Sequence, residues 1–231
     1  MVLEGLAADL GVEVVDAELT GAVARLARLG NRGRIRVSRR VTNAGRRRFS
    51  IAHELGHFVL NHQGSPLAGC QEQAMLDYGG TSKEAEANVF AVELLLPEKL
   101  VRRRCEVSPV DLRPIKKLAE DFETSVTATA IRFVDFSPER CAVVYSENGR
   151  VRWSRKSETF WCRLLSWGKE LGLASLASDF FREGSMSEDP EEVRGDAWIE
   201  SEGGRYPEVV EHSMAILSLN AVITVLWVPT S

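Results

Sequence analysis

The sequence lacks any uninterrupted run of the roughly 18 apolar residues that a helix needs to cross a bilayer. Its amino terminus, Met1–Leu6, has no basic region ahead of an apolar one, as a secretory signal would have. With 231 residues, 44% of them hydrophobic, the chain can bury a core as one large or two small domains. These features predict a cytoplasmic protein without a membrane partner.

Cysteine is scarce, and no two cysteines form a Cys-x-x-Cys pair. The four cysteines are Cys70, Cys105, Cys141 and Cys162. Without an export signal, such spacing favours reduced thiols over a disulfide framework. Cys141 and Cys162 lie in apolar settings and are interpreted as core residues.

Acidic residues are missing from the stretch between Arg25 and His53, although the net charge of the whole chain is −4. That stretch contains Arg25, Arg28, Arg32, Arg34, Arg36, Arg39, Arg40, Arg46, Arg47 and Arg48. A second basic cluster is Arg102–Arg104. Arginine suits phosphate contacts and carboxylate pairing, so the arginines could bind DNA or an acidic partner. The alternative is that they form a solvated face whose charge is balanced by acidic residues elsewhere in the chain. We expect any nucleic-acid contact to involve Arg46 and Arg47.

The most informative motif is His-Glu-Leu-Gly-His at residues 53–57. In a helix, His53 and His57 project from one face, where two imidazoles can bind the same zinc ion. Glu54 lies one residue round the helix, so its carboxylate can reach a water at the metal without binding the metal itself. The alternative is a pair of core histidines on an ordinary amphipathic helix.

A zinc site that stays open to water needs a third protein ligand. The next strongly helical segment, residues 82–97, offers Glu84, with Asn88 four residues later on the same side. Asn88 is then placed to hold a ligand or a ligating histidine through a hydrogen bond. Glu86 is a rival, but it points about 200° away from Glu84 on a regular helix. Glu93 is a further option, and helix glutamates are otherwise commonly solvent-facing.

Together, Arg48–His57 and Glu84–Pro97 resemble the ImmA/IrrE zinc metallopeptidases, over roughly residues 1 to 136. These are bacterial and phage proteins that cleave or inactivate helix-turn-helix repressors. The resemblance implies His53, His57 and Glu84 as zinc ligands and Glu54 as the catalytic carboxylate. It also implies a repressor as substrate.

The pattern of elements predicts an α+β protein. Residues 1–136 are expected to form a helical, zincin-like metallopeptidase domain with a small amino-terminal sheet. Residues 137–231 are expected to form a carboxy-terminal α+β domain, regulatory or sensor-like, with a largely antiparallel sheet and an Asn-Gly hairpin turn. Glu211-His212-Ser213 in that domain suggests acid–base chemistry only weakly, because a single histidine on a strand is usually structural.

The sequence also suggests how the predicted zinc site could be kept inactive. A thiolate that fills the fourth zinc position would exclude water. Cys105 is the first candidate for this inhibitory ligand, because Arg102–Arg104 would favour its thiolate, and Cys70 is the second. The alternative is that Cys105 is a small buried hydrophobic residue. Peptide hydrolysis also needs a group that stabilises the oxyanion, and Tyr78 is the candidate for this role.

The predicted function is therefore zinc-dependent endopeptidase cleavage of a helix-turn-helix repressor, which derepresses a stress, phage or defence operon. Two alternatives remain open. The protein could displace a repressor without cutting it, or it could be a DNA-binding regulator that retains the zinc fold. DNA could also be the activating signal of the protease.

Overall fold

The computed structural model describes residues 3–62, 82–201 and 205–229. The α-helices are α1 (Leu3–Asp9), α2 (Ala44–Val59), α3 (Lys83–Leu95), α4 (Glu98–Val101), α5 (Leu112–Phe122), α6 (Val126–Phe136) and α7 (Leu176–Glu183). The strands are β1 (Val12–Ala17), β2 (Ala24–Leu29), β3 (Arg32–Ser38), β4 (Cys141–Glu147), β5 (Arg150–Lys156), β6 (Arg163–Leu164), β7 (Glu191–Val193), β8 (Ile199–Glu200), β9 (Val209–Ile216) and β10 (Ala221–Trp227). The predicted α+β class, with a largely antiparallel second half, is confirmed.

The chain divides by its contacts into two compact units. The first comprises Met1–Glu98 with Glu120–Ser125, and the second comprises Lys99–Ala119 with Val126–Ser231. This division differs from the predicted boundary at residue 136. The reason is that α6 packs against β4 and β5 and against the 3-10 turn Arg102–Cys105, which places it with the second unit.

The first unit is built on a three-stranded sheet in the order β1-β3-β2. Strand β3 lies in the centre, parallel to β1 and antiparallel to β2. Its alternating sequence buries Ile35 and Val37 and exposes Arg34 and Arg36, as a sheet with one covered face requires. Helix α2 packs on the buried face, so the sheet supports the helix that carries residues 53–57.

Helices α2 and α3 pack directly against each other. Asn43 caps the amino end of α2, because its side chain accepts a hydrogen bond from the Arg46 amide. Ser82 caps α3 in the same way. A Cβ atom at Gly56 would lie 3.1 Å from the Ala87 Cα atom. Glycine at position 56 and alanine at position 87 therefore allow the close approach of the two backbones.

The second unit contains a five-stranded sheet in the order β5-β4-β10-β9-β7, in which each neighbouring pair is antiparallel. The predicted hairpin turn between β4 and β5 is present, with positive φ angles at Asn148 and Gly149. Strands β9 and β10 form a second hairpin.

Glu211, His212 and Ser213 are buried in β9 and serve the packing of the second unit. The Glu211 carboxylate accepts hydrogen bonds from the first amides of α7, at Leu176 and Ala177, and from the Trp198 indole. The His212 Nδ1 atom accepts a hydrogen bond from the Leu112 amide at the start of α5. These contacts agree with a structural role for the segment.

Among the residues that the structure describes, no helix is both long and apolar enough to cross a membrane.

Candidate metal centre

Three side chains from two helices converge in the first unit. Each of His53 and His57 on α2 and Glu84 on α3 offers a ligand atom, and these atoms all lie within 4.8 Å of one another. The two Nε2 atoms are 3.0 Å apart. The Glu84 carboxylate lies 3.2 Å from the His53 Nε2 atom and 3.4 Å from that of His57. The structure thus brings together the three residues that the sequence singled out.

A hydrogen bond on the far side of the His53 imidazole favours the tautomer that a metal needs. The His53 Nδ1 atom lies 2.9 Å from Asn88 Oδ1, an oxygen that can only accept a hydrogen bond. His53 therefore carries its proton on Nδ1, which leaves the lone pair of Nε2 facing Glu84. Facing lone pairs and a carboxylate repel one another unless a cation lies among them, so the donor set fits a metal ion.

The electrostatics of the three residues are consistent with this arrangement. Burial, and then the nearby His53, lower the pKa of His57 and favour its neutral form. The close contact with the His53 side chain is the largest cause that lowers the pKa of Glu84 and favours its carboxylate. Neutral imidazole and ionised carboxylate are the forms that bind metal.

Glu54 lies beside the cluster and does not belong to it. Its side chain is buried, and burial raises its pKa to about 7, against the opposing effect of His53. The backbone N–H of Leu26 in β2 donates a hydrogen bond to the Glu54 carboxylate. Among the described strands, β2 lies at the edge of the sheet and pairs with β3, and this amide lies on its other side. The sheet therefore holds this buried carboxylate in place beside the cluster.

The rival glutamates on α3 have other partners. Glu86 Oε2 lies 2.9 Å from the Nε2 atom of His62, and Glu93 accepts a hydrogen bond from the Glu98 amide. His62 is the residue that the sequence reasoning missed, since its Nδ1 atom lies 2.9 Å from that of His57. The sequence feature that could have indicated His62 is its position just beyond the end of α2, the helix that carries His57.

The predicted cysteine ligand finds no support. Cys105 is fully buried and donates a hydrogen bond to the Val101 carbonyl oxygen. Burial raises the pKa of its thiol to about 12 and outweighs the lowering effect of Arg132, Arg102 and Arg104. The arginines favour the thiolate as expected, but burial has the larger effect, which agrees with the alternative of a small buried residue. The role of Cys105 as a zinc ligand stays a prediction. Within the described ranges, the cluster of His53, His57 and Glu84 does not include Cys105.

Cys70 and Tyr78, the other two residues considered for the site, lie outside the described residues. Cys141 and Cys162 are buried free thiols in the core of the second unit.

Arg46 and Arg47 lie in the first turn of α2. Arg47 forms ion pairs with Asp16, at 2.7 Å, and with Glu4, at 3.6 Å. Its charge is therefore partly neutralised within the first unit, which weakens the case for Arg47 as a nucleic-acid contact.

Comparison with known proteins places the fold. A solved structure of a Mycobacterium tuberculosis transcriptional regulator matches with a TM-score of 0.58 and 17% identity, over 98% of this chain and 69% of that chain. This likeness concerns the fold alone. A search of curated proteins gave no match. The family model Peptidase_M78, IrrE N-terminal-like domain, matches residues 7–134, which include both helices of the cluster. Because that match spans more than half of the sequence, the chain belongs to the IrrE N-terminal-like family, Peptidase_M78.

Proposed function

We propose that the chain is a zinc-dependent endopeptidase that cleaves a helix-turn-helix transcriptional repressor and so derepresses a stress, phage or defence operon. The observation that carries the proposal is the convergence of His53, His57 and Glu84 beside the buried carboxylate of Glu54. Three protein ligands with an adjacent acid–base group are typical of hydrolytic zinc centres.

Zinc is the proposed metal because two imidazoles and one carboxylate form a donor set of the kind found in catalytic zinc sites. His53 and His57 would bind through Nε2, and Glu84 would bind through its carboxylate. When bound, zinc supplies a Lewis acid for the attack of water on a peptide carbonyl.

Glu54 is proposed to move the proton. Its carboxylate would accept a proton from the attacking water and deliver it to the nitrogen of the leaving amine. The hydrogen bond from the Leu26 amide fixes the carboxylate in place, and its burial keeps competing water away. The raised pKa suits a group that must both accept and release a proton.

The proposed substrate follows from the family. The ImmA/IrrE proteins that the sequence resembles cleave or inactivate helix-turn-helix repressors, and the structural neighbour is described as a transcriptional regulator. An anti-repressor that binds without cutting is the alternative. The retention of Glu54 in a buried, hydrogen-bonded setting favours cleavage, since binding alone needs no base.

We expect about one zinc ion per purified chain, as a site with three protein ligands implies. Replacing His53, His57 or Glu84 by alanine should remove the metal and, with it, cleavage of a cognate repressor. Replacing Glu93 by alanine, on the same helix, should leave the metal in place. Metal analysis and gel electrophoresis of candidate repressors, with and without a chelator, provide the measurement. Retention of zinc by the Glu84→Ala variant would contradict the proposed ligand set.

Nucleic-acid binding is a second candidate function, and one feature of the sheet favours it. Arg25 and Arg36 lie directly opposite each other on the antiparallel strands β2 and β3. In the described parts of the chain neither forms an ion pair, and the Arg25 Nε atom is buried without a hydrogen-bond partner. Like charges in directly opposed positions destabilise a sheet, and a phosphate between them would relieve the repulsion.

If nucleic acid binds this face, the Arg36→Glu variant should bind a short oligonucleotide at least about tenfold more weakly at low salt. The dependence of affinity on salt should also become shallower, because fewer counterions are released. Lys169→Glu, which makes the same charge change at an exposed position in the second unit, is the control. Fluorescence anisotropy of single- and double-stranded oligonucleotides that stays flat with the unmodified protein would exclude this function.

A further inference from the structure

We propose that His62 and Glu86 position the imidazole of His57, so that a chain from carboxylate through histidine to histidine orients one metal ligand. The inference rests on the proposed metal centre and adds two residues to it. It is carried by two contacts of 2.9 Å, from His57 Nδ1 to His62 Nδ1 and from His62 Nε2 to Glu86 Oε2.

The backbone at the end of α2 brings His62 back to the helix. Asn61 adopts a left-handed conformation, with φ at 56°. The His62 amide then donates a hydrogen bond to the His57 carbonyl oxygen, and the Asn61 amide donates one to the Phe58 carbonyl oxygen. This is the Schellman pattern of a helix end. It places His62 beside the ring of His57, although the two residues are not neighbours on a regular helix.

The direction of each hydrogen bond follows from the metal-binding form. If His57 binds through Nε2, its proton lies on Nδ1, which must donate to the Nδ1 atom of His62. His62 then carries its own proton on Nε2, which donates to the Glu86 carboxylate. Once His57 binds metal through Nε2, this arrangement of protons satisfies both contacts of the chain.

The two histidine ligands are therefore held by different groups. His53 donates to a neutral amide oxygen, that of Asn88, whereas His57 is connected through His62 to a charged carboxylate. A carboxylate that accepts from a histidine makes that ring a better acceptor at its other nitrogen, and hence strengthens its hold on His57. The His62 side chain is 7% exposed and that of Glu86 is 57% exposed, so the chain runs from the cluster to the surface.

Zinc affinity, measured by competition with a chelating dye, tests the role. His62→Leu should weaken zinc binding by about ten- to a hundredfold, which is the usual loss of metal affinity when a histidine ligand loses its hydrogen-bond partner. Glu86→Gln should produce a smaller loss. His62→Asn should recover much of the affinity, because the asparagine oxygen can accept the hydrogen bond from His57. Glu93→Gln makes the same change as Glu86→Gln on the same helix, at a carboxylate that accepts from the Glu98 amide, and should leave the affinity within about twofold.

Nitrogen NMR of the histidine rings provides a readout that a merely structural role would not change. In the zinc-loaded protein, His62 should be protonated on Nε2 and unprotonated on Nδ1, and Glu86→Gln should reduce the population of this tautomer. If His62→Leu, His62→Asn and Glu86→Gln all bind zinc as tightly as the unmodified protein, the positioning role is overturned and the proposed metal centre still stands. A protein that binds no zinc at all would overturn both.

Discussion

The Glu54→Gln variant is expected to keep its fold and its metal and to lose repressor cleavage by about 10²–10⁴-fold. Glutamine has the same shape as glutamate, and its amide oxygen can still accept the hydrogen bond from the Leu26 backbone. The amide cannot accept the proton of the attacking water, so the loss should appear in the rate of cleavage. The measurement is the rate at which the intact repressor disappears, together with the zinc content of the same sample.

Glu93→Gln is the matched control, because it makes the same chemical change on a glutamate that contacts the Glu98 amide. A Glu54→Gln protein that cuts at a rate comparable with the unmodified enzyme would exclude the proton-transfer role. If the unmodified protein relieves repression without cutting any cognate repressor, the displacement alternative holds instead.

The second large effect is expected in the second unit, where Glu211→Gln should destabilise the protein by about 1–3 kcal/mol. One carboxylate oxygen accepts from the Ala177 amide and from the Ser213 hydroxyl, at 2.9 and 2.8 Å. The other accepts from the Leu176 amide and from the Trp198 indole, at 3.1 and 2.7 Å. A glutamine NH2 group would have to replace one oxygen. In place of the oxygen that faces Ala177 and Ser213, it would leave the Ala177 amide without an acceptor, because the Ser213 hydroxyl can turn to accept from the NH2 group and donate to Thr224.

Urea unfolding followed by tryptophan fluorescence measures this loss of stability, since Trp198 is fully buried next to Glu211. Glu208→Gln, at an exposed position just before β9, should change the free energy of unfolding by less than about 0.5 kcal/mol. Equal stability of the two variants would show that the carboxylate does not anchor α7 to the sheet.

The parts of the site that could be predicted from the sequence are those that depend on helical spacing. His53 and His57 share a helix face because they are four residues apart. Helical spacing also favours Glu84 over Glu86, because Glu84 lies on the same side of its helix as Asn88, four residues later. The structure brings these three residues together and places Asn88 against His53. Their roles in metal binding and catalysis stay predictions that the variants above can test.

The parts that could not be predicted depend on irregular backbone and on tertiary packing. His62 reaches His57 only through the left-handed residue Asn61, which a helical pattern does not reveal. The hydrogen bond from Leu26 to Glu54 depends on the position of β2 in the sheet and on the packing of α2 against it. The buried state of Cys105 depends on the residues that pack round it, whereas its basic neighbours in the sequence suggested an exposed thiolate.

The distribution of the three candidate ligands over α2 and α3 has a consequence for folding. His53 and His57 come into register as soon as α2 forms, but Glu84 joins them only when α3 docks at Gly56 and Ala87. A metal ion that needs all three ligands therefore binds the docked state more tightly than any state in which the helices are apart. By linkage, its binding free energy adds to the stability of that helix pair. Metal supply would then set how long the protein persists in the cell, in addition to whether it is active.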